Sequence, residues 1–594
     1  MRLNRFASSS VMVALLWLAS AAHAGLPYRD GQLAAGHSGM VVSQQPLATR
    51  AGLEVLRAGG NAMDAAIATA LTLAVVHPQA GNLGGGGFML YYRAQDSLCT
   101  FIDFREIAPA RARRDMYLDA QGNVDTLKSQ VGPWSAGIPG SPAGLYLAWS
   151  KYATRPWRSL LTPAIRYAQD GFAVNGDLAE AIQDRQDDLR RFPSSAAVFL
   201  PKGRPLHAGD KLVQKDLART LRLLAQSGPL TFYEGGLADL VLKDTERVHG
   251  PFTAQDWASY RAVERTPLRG RYRDLQLLCA PPPSSGGVTL LETLAQLEYY
   301  DIAATGPRSA YRVHLTSEAM ARAFADRNTY LGDPEYVRNP VAGLLSAGYI
   351  AALQKTIVMD KASAPGSIRP GEPWKFDPGP RTIMVPDSGD SLRPVPNRAV
   401  EGNHTTHLSV VDAQGNIVTL TTTLNDELGS AYVVPGAGFL LNNEMDDFTS
   451  KPGAPNMYGL VGSDTNGIAP GKRPLSSMCP TIVLRAGHPW LVLGSPGGPR
   501  IITTVLNIVI DRRDHGVSLE TAVATPRFHH QWQPEVIYHE PDAFTDDVKK
   551  ALQAMGHVLR ARARYSSAQC IEIEPNGTLR GVSDPRTHGA AQGY

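Results

Sequence analysis

Thr405 stands where a Pro-rich approach gives way abruptly to strand patterning, and that position suggests chemistry. A threonine hydroxyl at the head of a strand can attack the carbonyl before it and cut the chain between His404 and Thr405. It then emerges as an N-terminal nucleophile with its own amine as base. The same stretch also reads as an ordinary Thr-rich hairpin. Four other clusters bear on the choice. Residues 442–448 crowd acids and amides behind an apolar run, so Asp447 and Glu444, with Asn425, can clasp an ammonium group. An acidic loop or a weak calcium site is the plain alternative. Arg105 has the fork for two-pronged capture of a carboxylate, or it is an ion-pair residue of Asp103 or Glu106. Ser476 and Ser477 offer adjacent hydroxyls beside such a carboxylate, unless they are simple turn residues. Gly497 and Gly498 let two backbone N–H groups converge on one point, as an oxyanion hole requires.

The elements that must position these groups begin with the hairpin. Alternation over 405–412, a turn signal at 412–416 and a second strand over 417–424 place Thr405 opposite Thr423 if the turn is centred on Gln414. Asn425 then shares the face of Thr423. Upstream, strands are expected at 40–43, 88–92 and 101–106, with helices at 46–58 and 62–76 between them. Residues 140–260 read as mostly helical, with candidates at 142–152, 161–170, 177–192, 214–227 and 236–248, and a capped start at Thr253. A strand at 269–278 leads through a Pro/Gly/Ser loop to helices at 288–297 and 309–330. Strands are expected at 439–441 and 491–493, and helices at 519–524 and 546–555. Gly84 to Gly87 precede a strand, and no Lys-Ser/Thr follows, so tight backbone packing near a site is the better reading than a phosphate loop.

Composition narrows the class. The chain has 594 residues and a formal net charge of +3, with no concentrated basic run, which speaks against nucleic-acid binding. Arg2 and Arg5, an apolar run over 11–18 and Ala22-His23-Ala24 describe a secretory signal ending at residue 24, so an exported, periplasmic or secreted protein is expected. An uncut signal that tethers the chain is the alternative. Four widely spaced cysteines, Cys99, Cys279, Cys479 and Cys570, are expected to be free and buried. Residues 361–404 carry eight prolines and read as a linker with a mobile end. Residues 449–473 form a long Pro/Gly-rich loop of the kind that serves as a lid. His404 and His407 point to opposite faces of an extended chain, so they do not share a metal.

The clusters in this order resemble the γ-glutamyltranspeptidase (γ-glutamyltransferase) family. The motifs that carry the resemblance are Asp103-Phe104-Arg105-Glu106, the run 405–412, Leu441 with 442–448, Arg473-Pro474-Leu475-Ser476-Ser477-Met478, and Gly494-Ser495-Pro496-Gly497-Gly498. The resemblance implies an α+β, four-layer αββα N-terminal-nucleophile fold, two stacked sheets between helix layers. It also implies a precursor processed into a large subunit, 25–404, and a small catalytic subunit, 405–594. Thr405 would be the nucleophile, Thr423 its support, and Gly497 with Gly498 the oxyanion hole. Arg105, Ser476 and Ser477 would hold the α-carboxylate of a γ-glutamyl group, and Asn425, Glu444 and Asp447 its α-ammonium. Tyr458 would belong to the lid. Glu444 stands where many bacterial members have Gln, and 80–83 departs from the commoner loop. No cofactor is implied. The substrates implied are glutathione and related γ-glutamyl amides, with water, amino acids or dipeptides as acceptors. A related glutaryl-type cephalosporin acylase is the nearest alternative, and an exported, non-catalytic solute-binding protein a more distant one.

Overall fold

The computed structural model describes residues 25–379 and 404–594. The secretory-signal reading, and the part of the Pro-rich approach over 380–403, lie outside them.

Two seven-stranded sheets, each antiparallel throughout, form the centre. The first runs in the order Ala590–Gly593, Gly39–Ser43, Thr405–Asp412, Ile417–Thr423, Gly86–Arg93, Leu98–Asp103, Val263–Arg265. The second runs Leu33–Gly36, Leu579–Ser583, Gln569–Ile573, His488–Leu493, Thr481–Arg485, Leu275–Cys279, Leu268–Tyr272. Period two sends alternate residues of the central strands of the first sheet to two faces, and both faces are buried. Leu408, Val410, Val418 and Leu420 pack with the helix Ala62–Val76 in one core. Val411, Ile417, Phe88 and Leu90 pack against Leu277, Ile482 and Val492 of the second sheet. That second core continues into the helices Gly286–Leu297, Ala310–Tyr330 and Arg500–Arg513. The result is helix, sheet, sheet, helix, the four layers expected. Among the described residues, no helix is long and apolar enough to cross a membrane.

The hairpin has the predicted register, with Thr405 paired to Thr423 and Val411 to Ile417. Both strands are buried along their whole length. All four cysteines are free and buried.

Several expectations need correction. The strand expected at 101–106 ends at Asp103, because its carboxylate turns back to accept the Arg105 N–H at 2.9 Å, which releases Arg105 from the ladder. The stretch 269–278 is two strands, Leu268–Tyr272 and Leu275–Cys279, folded at Arg273, whose φ is +56°. No Gly or Asn marks that turn. The helix expected over 177–192 is interrupted at Arg185, giving Gly176–Asp184 and Gln186–Arg190. Residues 439–441 form only isolated bridges, Val433 with Leu440 and Gly84 with Leu441. The first part of the expected linker is docked: Ala362 N–H donates to Met555 O at 2.7 Å and Gly371 N–H to Asp326 Oδ1 at 2.7 Å. The helix Arg500–Arg513 was not expected at all. Its run of Ile, Thr and Val has strand propensity, and burial of nearly the whole helix between layers overrides it.

Candidate active site

Thr405 lies at the end of its strand, on the face that looks toward the second sheet. His407 and Ser409 share that face, and Ser409 Oγ donates to Gln569 O in the second sheet at 2.9 Å. Thr405 Oγ1 donates to Thr423 Oγ1 at 3.1 Å, and Thr423 Oγ1 donates onward to the carbonyl oxygen of His404 at 3.0 Å. The N–H of Asn425 donates to Thr423 Oγ1 at 2.9 Å. That bond is possible because Asn425 takes φ +77° and bends the chain out of the ladder. The Thr423 hydroxyl therefore has both acceptor positions filled, and its one hydrogen is committed to the carbonyl ahead of Thr405.

The strand end is pinned from the other side. Asn82 Nδ2 donates to Thr423 O at 2.8 Å and to Thr422 Oγ1 at 3.0 Å. Gly86 pairs directly with Thr423, and Gly87 with Thr422. This is the close backbone packing expected of the four glycines.

The acidic cluster is a single 3-10 turn, Glu444–Asp447. Asn442 staples its base, donating to Gly84 O at 2.8 Å and Gly137 O at 2.9 Å while accepting the Glu444 N–H at 3.0 Å. Glu444 and Asp447 then converge on one guanidinium: Arg105 pairs with Glu444 through Nη1 and with Asp447 through Nη2 at 2.5 Å. Glu106 Oε2 lies 3.7 Å from Arg105 Nη1. Burial works against charge on every member of this group. The surrounding carboxylates nevertheless hold Arg105 charged, raising its pKa. Burial, opposed by Arg105, pushes the three acids upward, Glu106 to about 7. The two halves of the expected zwitterion clamp thus neutralise one another. A ligand carrying an ammonium and a carboxylate on one carbon can replace each contact with one of the same sign. Asp446 serves the cover of the site instead, accepting Ser129 Oγ at 2.7 Å and Met457 N–H at 3.0 Å and so tying down the segment that lies over the pocket.

That segment, 449–473, is folded across the pocket and anchored at its base. Arg114 donates to the carbonyls of Thr449 at 2.9 Å and Ser450 at 2.8 Å, and Lys472 Nζ to Thr465 O at 2.8 Å. Within it Tyr458 is buried, its hydroxyl donating to Asn425 O at 2.5 Å. Gly497 and Gly498 follow the strand His488–Leu493 and immediately precede the helix Arg500–Arg513, with φ +124° and +56°. Their N–H groups therefore sit at the positive end of a helix, and no other described group engages them.

Thr405, Thr423, Asn425, Arg105, Glu444, Asp447, Tyr458, Ser476, Ser477 and Gly498 all line one narrow pocket. Gly497 is adjacent to it in sequence and does not line it. His407 is buried among Thr421, Thr419 and Ser409, and burial pushes its pKa down to about 3, so it has no place in proton transfer near neutral pH. Among the described residues, His314, Glu318 and His557 come together as a metal ion would require, but none of them lines the pocket. Their atoms are already engaged. His314 Nδ1 contacts His557 Nε2 at 2.7 Å, and Glu318 accepts from Arg322 at 2.8 Å and Ser363 Oγ at 2.5 Å.

Sequence reasoning missed Asn82, Asn442 and the environment of His404. His404 Nδ1 lies 3.0 Å from Asp426 Oδ1, and Asp426 also pairs with Arg185. The adjacent amides of Asn442 and Asn443 were visible as a pair; which one faces the backbone of Gly84 was not.

The family model described as Gamma-glutamyltranspeptidase matches residues 48–594. The "Glutathione hydrolase proenzyme" of Escherichia coli (strain K12) is 45% identical over 550 residues, covering 92% of this chain and 90% of that protein. The "Acylase ACY 1 proenzyme" of Pseudomonas sp. (strain SE83) is 36% identical over 564 residues, 94% of this chain and 93% of its own length. Among solved structures, a cephalosporin acylase from Bacillus halodurans superposes with a TM-score of 0.81 at 27% identity, covering 96% of this chain and 98% of that one.

Proposed function

This chain belongs to the gamma-glutamyltranspeptidase family, and we propose that it is a γ-glutamyltransferase with glutathione hydrolase activity, which builds its active site by cutting itself between His404 and Thr405. The observation that carries this reading is the relay from the Thr405 hydroxyl through Thr423 to the His404 carbonyl, opening into a pocket that holds both charge clamps.

In self-cleavage the Thr405 oxygen attacks the His404 carbonyl carbon. The hydroxyl of Thr423 stabilises the developing oxyanion, the Thr405 hydroxyl proton passes to the Thr405 nitrogen as the C–N bond breaks, and an ester joins His404 to the Thr405 side chain. Water then resolves the ester, leaving a carboxylate on His404 and a free amine and hydroxyl on Thr405. The mature protein would be a heterodimer of residues 25–404 and 405–594, exported after loss of residues 1–24.

The new α-amine has an ordinary pKa of about 7.7–8.0, so it accepts a proton near neutral pH far more readily than a lysine. It takes the Thr405 hydroxyl proton as the oxygen attacks the γ-carbonyl of the donor. The N–H groups of Gly497 and Gly498 receive the oxyanion, reinforced by the helix behind them. The C–N bond breaks, the leaving amine takes the proton, and a γ-glutamyl ester remains on Thr405. Water gives hydrolysis; an amino acid or dipeptide amine gives transfer.

Among the relatives are acylases, so a glutaryl-type amidase is the second reading. Glu444 and Asp447 argue against it, because an acyl group without an ammonium would leave them with Arg105 alone. The purified mature protein should run as two chains, the smaller beginning at Thr405, and should turn over a γ-glutamyl anilide. Thr405→Ala should give one uncut, inactive chain. A single-chain wild type without turnover would overturn the proposal.

A further inference from the structure

Arg327 lies near the end of the helix Ala310–Tyr330, and no part of the mechanism above uses it. It is buried, 5% exposed, and among the described residues it has no carboxylate within ion-pair distance. Its contacts are all to neutral groups: Nε to Ser285 Oγ at 2.9 Å, Nη1 to Asn328 Oδ1 at 2.8 Å, and Nη2 to Ser477 Oγ at 3.0 Å. The opposing charge that it feels is that of Asp447, which is already paired with Arg105. A buried cation without a counter-ion is costly unless something else supplies one. Burial brings its pKa down only to about 10, so at neutral pH the charge is present.

The hydrogen-bond directions show where that charge acts. Arg327 donates to Ser477 Oγ, and Met478 N–H donates to Ser476 Oγ at 3.1 Å. Each serine oxygen thus accepts from a nitrogen donor, which leaves its own hydrogen for an acceptor in the pocket that both line. Ser285 passes the constraint on, donating from Oγ to Ser476 O at 2.6 Å while it accepts from Arg327. Arg105, by contrast, already has the carboxyl groups of Glu106, Glu444 and Asp447 around it.

We propose that Arg327 is a positioning residue of the α-carboxylate subsite: it orients the hydroxyl of Ser477, holds the backbone of Ser476 through Ser285, and supplies from behind them the positive charge that a donor's carboxylate completes. This inference rests on the γ-glutamyl reading of the same pocket. It predicts that discrimination for a free α-carboxylate depends on Arg327 as well as on Arg105.

The experiment compares two donors on the mature enzyme, a γ-glutamyl anilide and the same compound with its α-carboxylate converted to a carboxamide. For Arg327→Met, KM for the carboxylate donor should rise about tenfold or more with a much smaller change in kcat. The carboxamide donor should lose far less, so the ratio of the two kcat/KM values falls. Arg327→Lys keeps the charge and should recover part of that ratio. If Arg327→Met does not accumulate as processed protein, the ratio measured with Arg327→Lys decides: a value below wild type supports the inference and an unchanged value overturns it. Equal losses on both donors would mark Arg327 as merely structural and also overturn it. Failure of the wild type to use any γ-glutamyl donor would instead defeat the functional reading itself.

Discussion

The hydroxyls of Thr405 and Thr423 face each other across an antiparallel pair, 3.1 Å apart, and the second holds the carbonyl oxygen that precedes the first at 3.0 Å. The hydrogen-bond donor to the His404 carbonyl is therefore a side chain on the neighbouring strand, and the proposed self-cleavage would use it to polarise that carbonyl.

Thr423→Val should slow self-cleavage by about a hundred- to a thousand-fold, the usual cost of one oxyanion donor. Thr423→Ser should stay close to wild type. The fraction of uncut chain followed over time on a denaturing gel reads this. Normal processing of the valine variant would remove Thr423 from the cleavage step.

Asp447→Asn should weaken the preference for γ-glutamyl over glutaryl anilides by about tenfold to a hundredfold, the worth of one charge-assisted hydrogen bond. Self-cleavage should persist, because Asp447 does not contact the relay. An unchanged ratio of kcat/KM values would refute its role toward the ammonium.

His404 gives a pH signature before cleavage. Burial opposes its charge, but Asp426 outweighs burial and raises its pKa above the ordinary value. Asp426 is pushed up by burial and brought below its ordinary value by Arg185 and His404. A raised histidine pKa contributes stability that is full below about 6.5 and lost as pH rises through the folded value; a lowered aspartate pKa contributes stability lost as pH falls below about 3.9. In the uncut Thr405→Ala background, the gap in Tm between His404 and His404→Gln should be widest near about pH 5–6.5 and shrink above it. A gap that stays flat from about pH 5 to 9 would exclude the pairing as a source of stability.

Gly498→Ala combines two penalties. The residue has φ +56°, and an added Cβ would come within 2.7 Å of the Tyr458 ring. It should lower kcat/KM by about a hundredfold or more by shifting the oxyanion donor, with a clearly smaller effect on kcat/KM if Gly498 only shapes the lid. Steady-state kinetics of the processed variant, with its Tm as control, separates loss of chemistry from loss of fold.

Local periodicity already contained much of this architecture. The hairpin register followed from alternation and one turn, because a one-residue slip would have moved every buried residue of 405–412 to the wrong face. The helices Pro46–Arg57 and Ala62–Val76 were equally plain, since caps and an Ala-rich run are signals within a few residues. The helix Arg500–Arg513 was not, because its β-branched residues are helical only through burial on both sides. Nor was the docking of 361–379, whose prolines mark extended chain without saying what it lies against.

The sequence by itself determined that Thr405 heads a strand and pairs with Thr423 across the ladder, because both depend on neighbours in the chain, and it supplied the residue types of the two proposed clamps. Only the tertiary structure decided how those clamps meet. Arg105 stands 339 positions from Glu444 and 342 from Asp447, yet the three share one buried ion cluster. Arg327 comes from a helix of the second core, 150 positions before Ser477, to stand behind its hydroxyl. Long-range pairing of buried charge follows from which surfaces the sheets and helices bring together, and no local pattern encodes it. Even Thr405 illustrates the division: its place at the head of a strand is a matter of sequence, while the hydrogen bond from Thr423 to the His404 carbonyl exists only because the two strands fold face to face.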